Sequence, residues 1–518
     1  MRNSLLFLLL LAACHTQQTP TTSTPKPVYD GTPIAMGTPP FTFPDGFLFG
    51  SAIAQYQAEG TWIPGDTTAS SNFERWEFLG KCNGERSGKA ADFREQWSAD
   101  LDRMQAMGLT AFRFSIDWAR IEPQKGQFSQ SEMNHVLEVL KGARDRHITV
   151  FLTFFHWTVP LDVQNPEGCA GHSCPSDLIG VYSPEFADRF AAYVAWVVPQ
   201  VKDLVDLYPV INEPFSVMVG GYLAGFLPPG FALDFEGFRA SFANLAFAHA
   251  KAAKVIRALD DVDADGDGVK VSIGTAMASA QFYAFDPASS DDAAAADRLN
   301  YVANDAWLDA LTTGNLDIDM DRKYTTATTH PPEGAYPELK GSLDWIGVNF
   351  YGPGRAQAAF GVLENIDALP KLDVTEYDGK LPHNDLNTEI KVEAFLTVLG
   401  HYADRWKLPL YITENGTADA TDVLRPRYLV EHLAAVASAI ARGVDIRGYL
   451  HWSILDNFEW HHGSVPRFGL FRVEYQKPGF PRLKTTSAGI YGDIVGQHAI
   501  SAELFQKWTS QKYVTDGR

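Results

Sequence analysis

From Phe47 onward, short apolar runs alternate with longer stretches in which apolar residues recur every three or four positions. Eight such runs can be counted: "FLFGSAIA", "TAFRFSID", "ITVFLTFFHW", "YPVINEP", "KVSIGTAM", "LDWIGVNFY", "PLYITENG" and "IRGYLHWSILD". Between them, stretches such as "WSADLDRMQAMG" and "FADRFAAYVAWVVPQVKDLV" carry helical spacing. Strands separated by helices pair in parallel, and eight such units predict a closed α/β barrel of the (β/α)8 kind. No low-complexity linker interrupts the stretch from 44 to 512, so it reads as one catalytic barrel domain. Pro209 cannot donate to a central ladder, which predicts that the fourth strand starts there.

In six of these runs, five of them at the C-terminal end, stand residues that apolar packing does not explain. These are His156 and Trp157, Asn212 and Glu213, Asn349 with Tyr351, Glu414 and Asn415, and Trp452; Arg113 lies inside the second run. In a parallel barrel every strand end faces the same rim, so residues far apart in sequence converge on one pocket. A lone Glu at a strand end is usually a solvated rim residue. Two, at "INEP" and "ITENG" among abundant Trp, suit glycoside cleavage, in which one acid protonates the leaving oxygen and the other attacks or stabilises the anomeric carbon. A metal-dependent barrel hydrolase would need rim clusters of His and Asp, and only His156 and His451 stand at strand ends.

Composition narrows the partners. The 518 residues include 43 basic and 63 acidic ones, a net charge of −20 that disfavours nucleic acid and anionic membrane surfaces and suits a neutral ligand. The first residues, "MRNSLLFLLLLAAC", read as a secretory signal over 1–13 that is too short to span a bilayer. Leu11-Ala12-Ala13-Cys14 resembles the bacterial lipobox, which implies lipidation at Cys14 and a membrane anchor; the alternative is an ordinary signal peptide. The Thr- and Pro-rich stretch 14–43 then serves as a tether. His15 leans toward outer-membrane sorting, on that resemblance alone. Of the remaining cysteines, Cys169 and Cys174 are close enough to staple one loop, leaving Cys82 spare.

Seven segments, "FLFGSAIAQYQAEG", "FRFSIDWARIEP", "HWTVP", "NEP", "GVNFYG", "ITENG" and "HWSILDNFEW", resemble in order the motifs of the family 1 glycoside hydrolases, the β-glucosidase family. The resemblance implies a retaining β-glycosidase that needs no cofactor and works by double displacement, with carboxyl groups roughly 5 to 5.5 Å apart. Position by position it implies Glu213 as general acid/base and Glu414 as nucleophile, with Arg113 and Tyr351 flanking the nucleophile. Gln57, His156, Asn212 and Glu459 match hydroxyl-binding positions, Asn212 at the 2-hydroxyl. Trp452 and Trp460 match the rings that contact the sugar, and Trp157 and Asn349 join the same shell. Glu459 is expected to repel a phosphate, and Pro466 and Phe468 replace the Lys and Tyr that would receive one. The implied substrates are unphosphorylated β-glucosides, β-galactosides or β-fucosides, as short oligosaccharides or aryl glycosides. A catalytically silent sugar-binding lipoprotein is the rival reading, and the presence of both carboxylates speaks against it.

Other features carry less. Asp261, Asp263 and Asp265 in "DVDADGDG" follow a calcium-loop spacing, yet Ser272 stands at the twelfth position where a bidentate Glu belongs, so an unliganded acidic turn is the expectation. Trp97, Trp118 and Trp196 read as core, and His461 and His462 as solvated loop residues. The fifth run ends "GTAMASAQF" with no Asn, and "DVQNPEGCAGHSCPSD" is an unusual loop, so both leave the leaving-group side open.

Overall fold

A computed structural model describes residues 27–61, 70–169, 180–324, 331–360 and 366–513. Each apolar run is a barrel strand: β1 (Leu48–Ala54), β2 (Ala111–Ser115), β3 (Thr149–Thr153), β4 (Leu207–Asn212), β5 (Ser272–Ser279), β6 (Trp345–Phe350), β7 (Leu410–Asn415) and β8 (Ile446–Trp452). They close in chain order, every pair is parallel, and β8 returns to β1 with His451 beside Ser51. The helices that return the chain are α1 (Phe93–Ala106), α2 (Gln130–Arg144), α3 (Phe186–Val201), α4 (Phe235–Leu259), α5 (Ala306–Thr313), α6 (Val392–Trp406), α7 (Arg425–Ala441) and α8 (Thr486–Gln497). The (β/α)8 expectation is met run for run.

The two-residue period of the strands decides what the barrel holds. In β2, Phe112 and Phe114 point outward to Phe93 of α1, with ring centroids 6.3 and 6.0 Å away. Ala111, Arg113 and Ser115 therefore point inward. The same alternation sends Phe151, Leu207, Trp345, Tyr411 and Leu450 inward, where they pack as one apolar cluster filling the barrel's N-terminal half. Trp345 fits because β5 offers Gly274, at which a Cβ would sit 2.4 Å from the indole. Above this plug the inward positions turn polar, and the site begins there. Outside the barrel, Arg482 bonds Asp100 of α1 through Nε at 3.1 Å and Nη2 at 2.9 Å, with both side chains out of contact with solvent.

Four expectations change. Strand β4 starts at Leu207, not Pro209, and holds the proline inside it. The missing N–H is absorbed because the β3–β4 ladder pairs Phe151 with Leu207 and resumes only at Phe155 and Ile211, while the β4–β5 register shifts between Pro209 and Asn212. From Pro27 the expected tether lies against the barrel. Tyr29, Ile34 and Met36 pack on the core, and Gly37 N–H donates to Ser438 Oγ of α7 at 2.9 Å, because apolar residues recur there that a solvated tether would lack. Asp261 is drawn away from the acidic turn by Lys202, 2.6 Å away, and Asp206 takes its place beside Asp263 and Asp265. The turn satisfies itself. Asp263 accepts from the N–H groups of Gly266 and Gly268, and Asp206 from those of Ala264 and Asp265. Of the two loop histidines, His462 is exposed but His461 is half-buried, its ring 4.6 Å from that of Phe226.

Trp118 is fully buried and stacks on Tyr193 at 5.1 Å, whereas Trp97 and Trp196 cover the core from its edge. Cys82 is a free, buried thiol that burial pushes up to about 12. Cys169 is disulfide-bonded, and its expected partner Cys174 lies outside the described residues, as do Cys14 and the signal segment. Among the described residues, no helix is long and apolar enough to cross a membrane.

Candidate active site

Strand β4 ends at Asn212, and the next residue breaks the extended path. Glu213 adopts a left-handed backbone, φ 46°, while its N–H bonds Ala276 O of β5 at 2.7 Å. A non-glycine residue held this way costs on the order of 1–3 kcal/mol, which the surrounding strands must offset. Pro214 then starts a short helix, Pro214–Met218, with the fixed φ that suits a first helical position. The result turns the Glu213 carboxyl over the barrel mouth. Its Oε1 accepts from Asn349 Nδ2 at 2.9 Å and its Oε2 from Ser216 Oγ at 2.8 Å.

Glu414 stands one residue before the end of β7, in register with Asn349 of β6. Its Oε1 accepts from Arg113 Nη1 in a buried ion pair, and its Oε2 from the Tyr351 hydroxyl at 2.6 Å. Arg113 also donates Nη2 to Asn212 Oδ1 at 2.5 Å and Nε to Thr153 Oγ1 at 3.2 Å. One inward arginine thus ties β2, β3, β4 and β7 together beneath the pocket.

Electrostatics separate the two acids. Burial raises both above the ordinary carboxylate range. For Glu414 the Arg113 charge and the Tyr351 hydroxyl oppose that rise, and both favour the ionised form. Glu213 touches no cation, and the Arg113 charge lowers it only as the smallest influence; burial first, then the Glu414 charge, carry it to about 7. Of the pair, Glu414 is the anion and Glu213 holds the proton.

A cavity of about 170 Å³ opens above them, lined by Gln57, His156, Trp157, Asn212, Tyr351, Trp452, Glu459 and Trp460 with both acids. Glu459 accepts from Trp452 Nε1 and Gln57 Nε2, each at 3.2 Å. Gln57 Oε1 is buried with no partner, an acceptor available to a ligand hydroxyl. Trp460 is wedged against Tyr56, with near-parallel rings 5.5 Å apart, and against Trp157 at 4.5 Å. Trp157 spends its N–H on Asn212 O at 3.1 Å, so its ring lines the cavity with its only donor occupied. Asn349 reaches the acids and Asn212 without lining the cavity.

Charge repulsion by Glu459 is not what disfavours a phosphate here. Burial, with the Glu414 charge adding to it, pushes Glu459 up to about 8, so at neutral pH it is largely the neutral acid and charge repulsion is weak. What disfavours a phosphate is the lining. Phe468 reaches the cavity wall, and no Lys or Arg stands among the described residues that line it. The sequence reading also missed one wall, formed by Asn384, Leu386 and Thr388 from the loop between β6 and α6. Asn384 Oδ1 accepts from the N–H groups of Leu386 and Thr388 at 2.9 and 3.0 Å, a tight turn that presents Leu386 to the pocket. The run "NDLNT" carried turn chemistry but no periodicity, so only that Asn offered a signal.

An ionised carboxylate clamped by a cation, a protonated carboxyl across the same pocket, unfilled hydroxyl-binding groups and flat rings define a glycoside hydrolase that acts through two acids. Comparisons with known proteins agree and narrow the class. Residues 40–500 match the profile of glycosyl hydrolase family 1, and the chain belongs to that family. It is 31% identical over 509 residues to a β-galactosidase of Saccharolobus solfataricus, covering 90% of this chain and 97% of that one. It is 30% identical over 480 residues to β-glucosidase A of Thermotoga maritima, covering 88% and 98%. Among solved structures, a β-glycosidase from Pyrococcus horikoshii superposes with a TM-score of 0.75 at 28% identity, covering 91% of this chain and 98% of that one. The protein is a retaining glycosidase that requires no cofactor.

Proposed function

We propose that the protein hydrolyses unphosphorylated β-D-glucosides, and with them β-galactosides and β-fucosides, as short oligosaccharides or aryl glycosides. The observation that carries this reading is the asymmetry of the two acids, Glu414 in direct contact with Arg113 and Tyr351 while Glu213 bonds only the neutral Asn349 and Ser216. In the first half-reaction Glu414 attacks the anomeric carbon while Glu213 gives its proton to the departing oxygen. Forming the glycosyl ester removes the Glu414 charge, and Glu213, now the anion, takes a proton from the water that releases the sugar. Glu459, Gln57 and the Trp452 and Trp460 rings hold the sugar during both steps.

The N-terminal sequence supports export and a lipid anchor at Cys14. Intact-mass measurement of the mature protein tests it: a diacylglycerol-sized increment on Cys14, lost in Cys14→Ser, is the expected result, and an unmodified N-terminus rejects it.

The catalytic reading is tested with nitrophenyl β-glycosides on wild type and Glu414→Ala. Activity should vanish in the variant and return with azide as a glycosyl azide of inverted configuration. An active Glu414→Ala would falsify the assignment. An inactive wild type across the panel would favour the silent sugar-binding lipoprotein.

A further inference from the structure

The donor and acceptor pattern around His156 is fixed by one cation. Arginine offers only N–H donors. Arg113 Nη2 donates to Asn212 Oδ1 at 2.5 Å, and Asn349 Nδ2 donates to the same oxygen at 3.1 Å. The other end of the Asn212 side chain is therefore its NH2 group, and it lies 3.0 Å from His156 Nε2. A donor at that distance needs an acceptor, so Nε2 carries a lone pair.

His156 is buried, and burial together with the Arg113 charge holds its pKa well below the usual range, so the ring is neutral and keeps one N–H. That N–H is on Nδ1, 2.7 Å from Ser115 Oγ, which accepts it. The opposite tautomer would set N–H against N–H between His156 and Asn212. Ser115 lies two residues beyond Arg113 on the inward face of β2, is 2% exposed, and sits behind the cavity lining that His156 belongs to.

We propose that Ser115 is a positioning residue that accepts the Nδ1–H of His156 and holds the ring in the tautomer set by the Arg113-oriented Asn212 amide, so that the pocket offers the sugar a bare Nε2 and reads one hydroxyl as a hydrogen-bond donor. The identity of the ligand rests on the glycosidase reading above; the tautomer does not. In the free protein the Asn212 amide occupies Nε2. An entering sugar replaces that single internal bond with two, one hydroxyl donating to Nε2 and its neighbour accepting the released amide.

The first test is long-range proton–nitrogen correlation on protein labelled with 15N-histidine at neutral pH, with His156→Ala to assign the signal. The expected pattern is a protonated Nδ1 and a bare Nε2; a protonated Nε2 overturns the proposal. Ser115→Ala should keep the tautomer that Asn212 sets, shift the Nδ1 proton signal as its acceptor is lost, and raise KM about fivefold, the size of one ordinary hydrogen bond, and Ser115→Thr should restore the signal and KM. An unchanged Nδ1 proton signal together with an unchanged KM in a folded Ser115→Ala overturns it too.

Sulfur-linked, non-hydrolysable glucosides lacking one hydroxyl, or carrying fluorine in its place, give a second arm on the wild type. At the position whose loss His156→Ala no longer senses, fluorine should bind as poorly as hydrogen, since fluorine accepts but cannot donate. Fluorine binding as well as hydroxyl rejects the proposal. A wild type that hydrolyses no β-glycoside while showing a bare Nε2 would sink the functional reading and leave the tautomer assignment standing.

Discussion

Asn349 donates to Glu213 Oε1 at 2.9 Å while its backbone sits in register with Glu414 on the adjacent strand. One amide thus fixes the Glu213 carboxyl against Glu414, the proposed proton donor against the proposed nucleophile. This hydrogen bond favours the ionised form of Glu213, so its removal moves the pKa upward. Asn349→Ala should show the alkaline fall of kcat/KM displaced to higher pH, together with a lower plateau from misplacement of the carboxyl. An alkaline limb moved to lower pH would contradict the role given to this amide.

In the wild type, kcat/KM should be high while Glu213 is protonated and fall as pH rises through about 7, the value set by burial and by the Glu414 charge. The midpoint belongs to the coupled pair of acids. Glu213→Gln should abolish the limb and slow substrates with poorly acidic leaving groups by about 10²–10⁴-fold, while dinitrophenyl glycosides lose far less in the first step. A profile flat to pH 9 in the wild type would remove Glu213 from the acid role.

Glu459 offers a separable prediction because burial keeps it largely protonated at neutral pH. Glu459→Gln should bind sugar nearly as the wild type does below pH 7. Glu459→Ala leaves the Trp452 indole and Gln57 without their shared partner, each such loss costing about 1–3 kcal/mol. Its inhibition constants for glucose analogues should rise by one to two orders of magnitude. Equal losses in the two variants would mean the side chain works as an anion.

Away from the pocket, Asp100 and Arg482 pair with both side chains sealed from solvent. Asp100→Ala strands the guanidinium and should cost about 3–5 kcal/mol, read as a lower urea midpoint with kcat unchanged in the folded protein. Because the pair is dry, the wild-type bond should be insensitive to 1 M salt.

How much was legible follows from where each signal lives. The barrel could be read because period-two runs bounded by helical spacing are a sequence property, and the inward Arg113 sits on the same alternation that turns Phe112 and Phe114 outward. The acids could be read because a charged residue ending an apolar strand has no packing reason to be there. Two things resisted. The wall made by Asn384, Leu386 and Thr388 lies on an aperiodic loop that tertiary contacts place, and the protonation of Glu459 depends on burial by residues distant in sequence. Pro209 misled because a strand rule was applied without the register shift that accommodates the proline, and the tether was overextended because Tyr29, Ile34 and Met36 were read by composition and not by spacing.

The division between strand-borne and loop-borne groups sets what recombination among such enzymes can change. Arg113, Asn212, Asn349 and Glu414 are stations on the staves themselves, whereas the Asn384–Thr388 turn is an appendage. A chimera that swaps that appendage should inherit a new ligand preference while keeping its chemical steps, and a single-residue insertion within β2 would turn the guanidinium out of the barrel and silence every such hybrid.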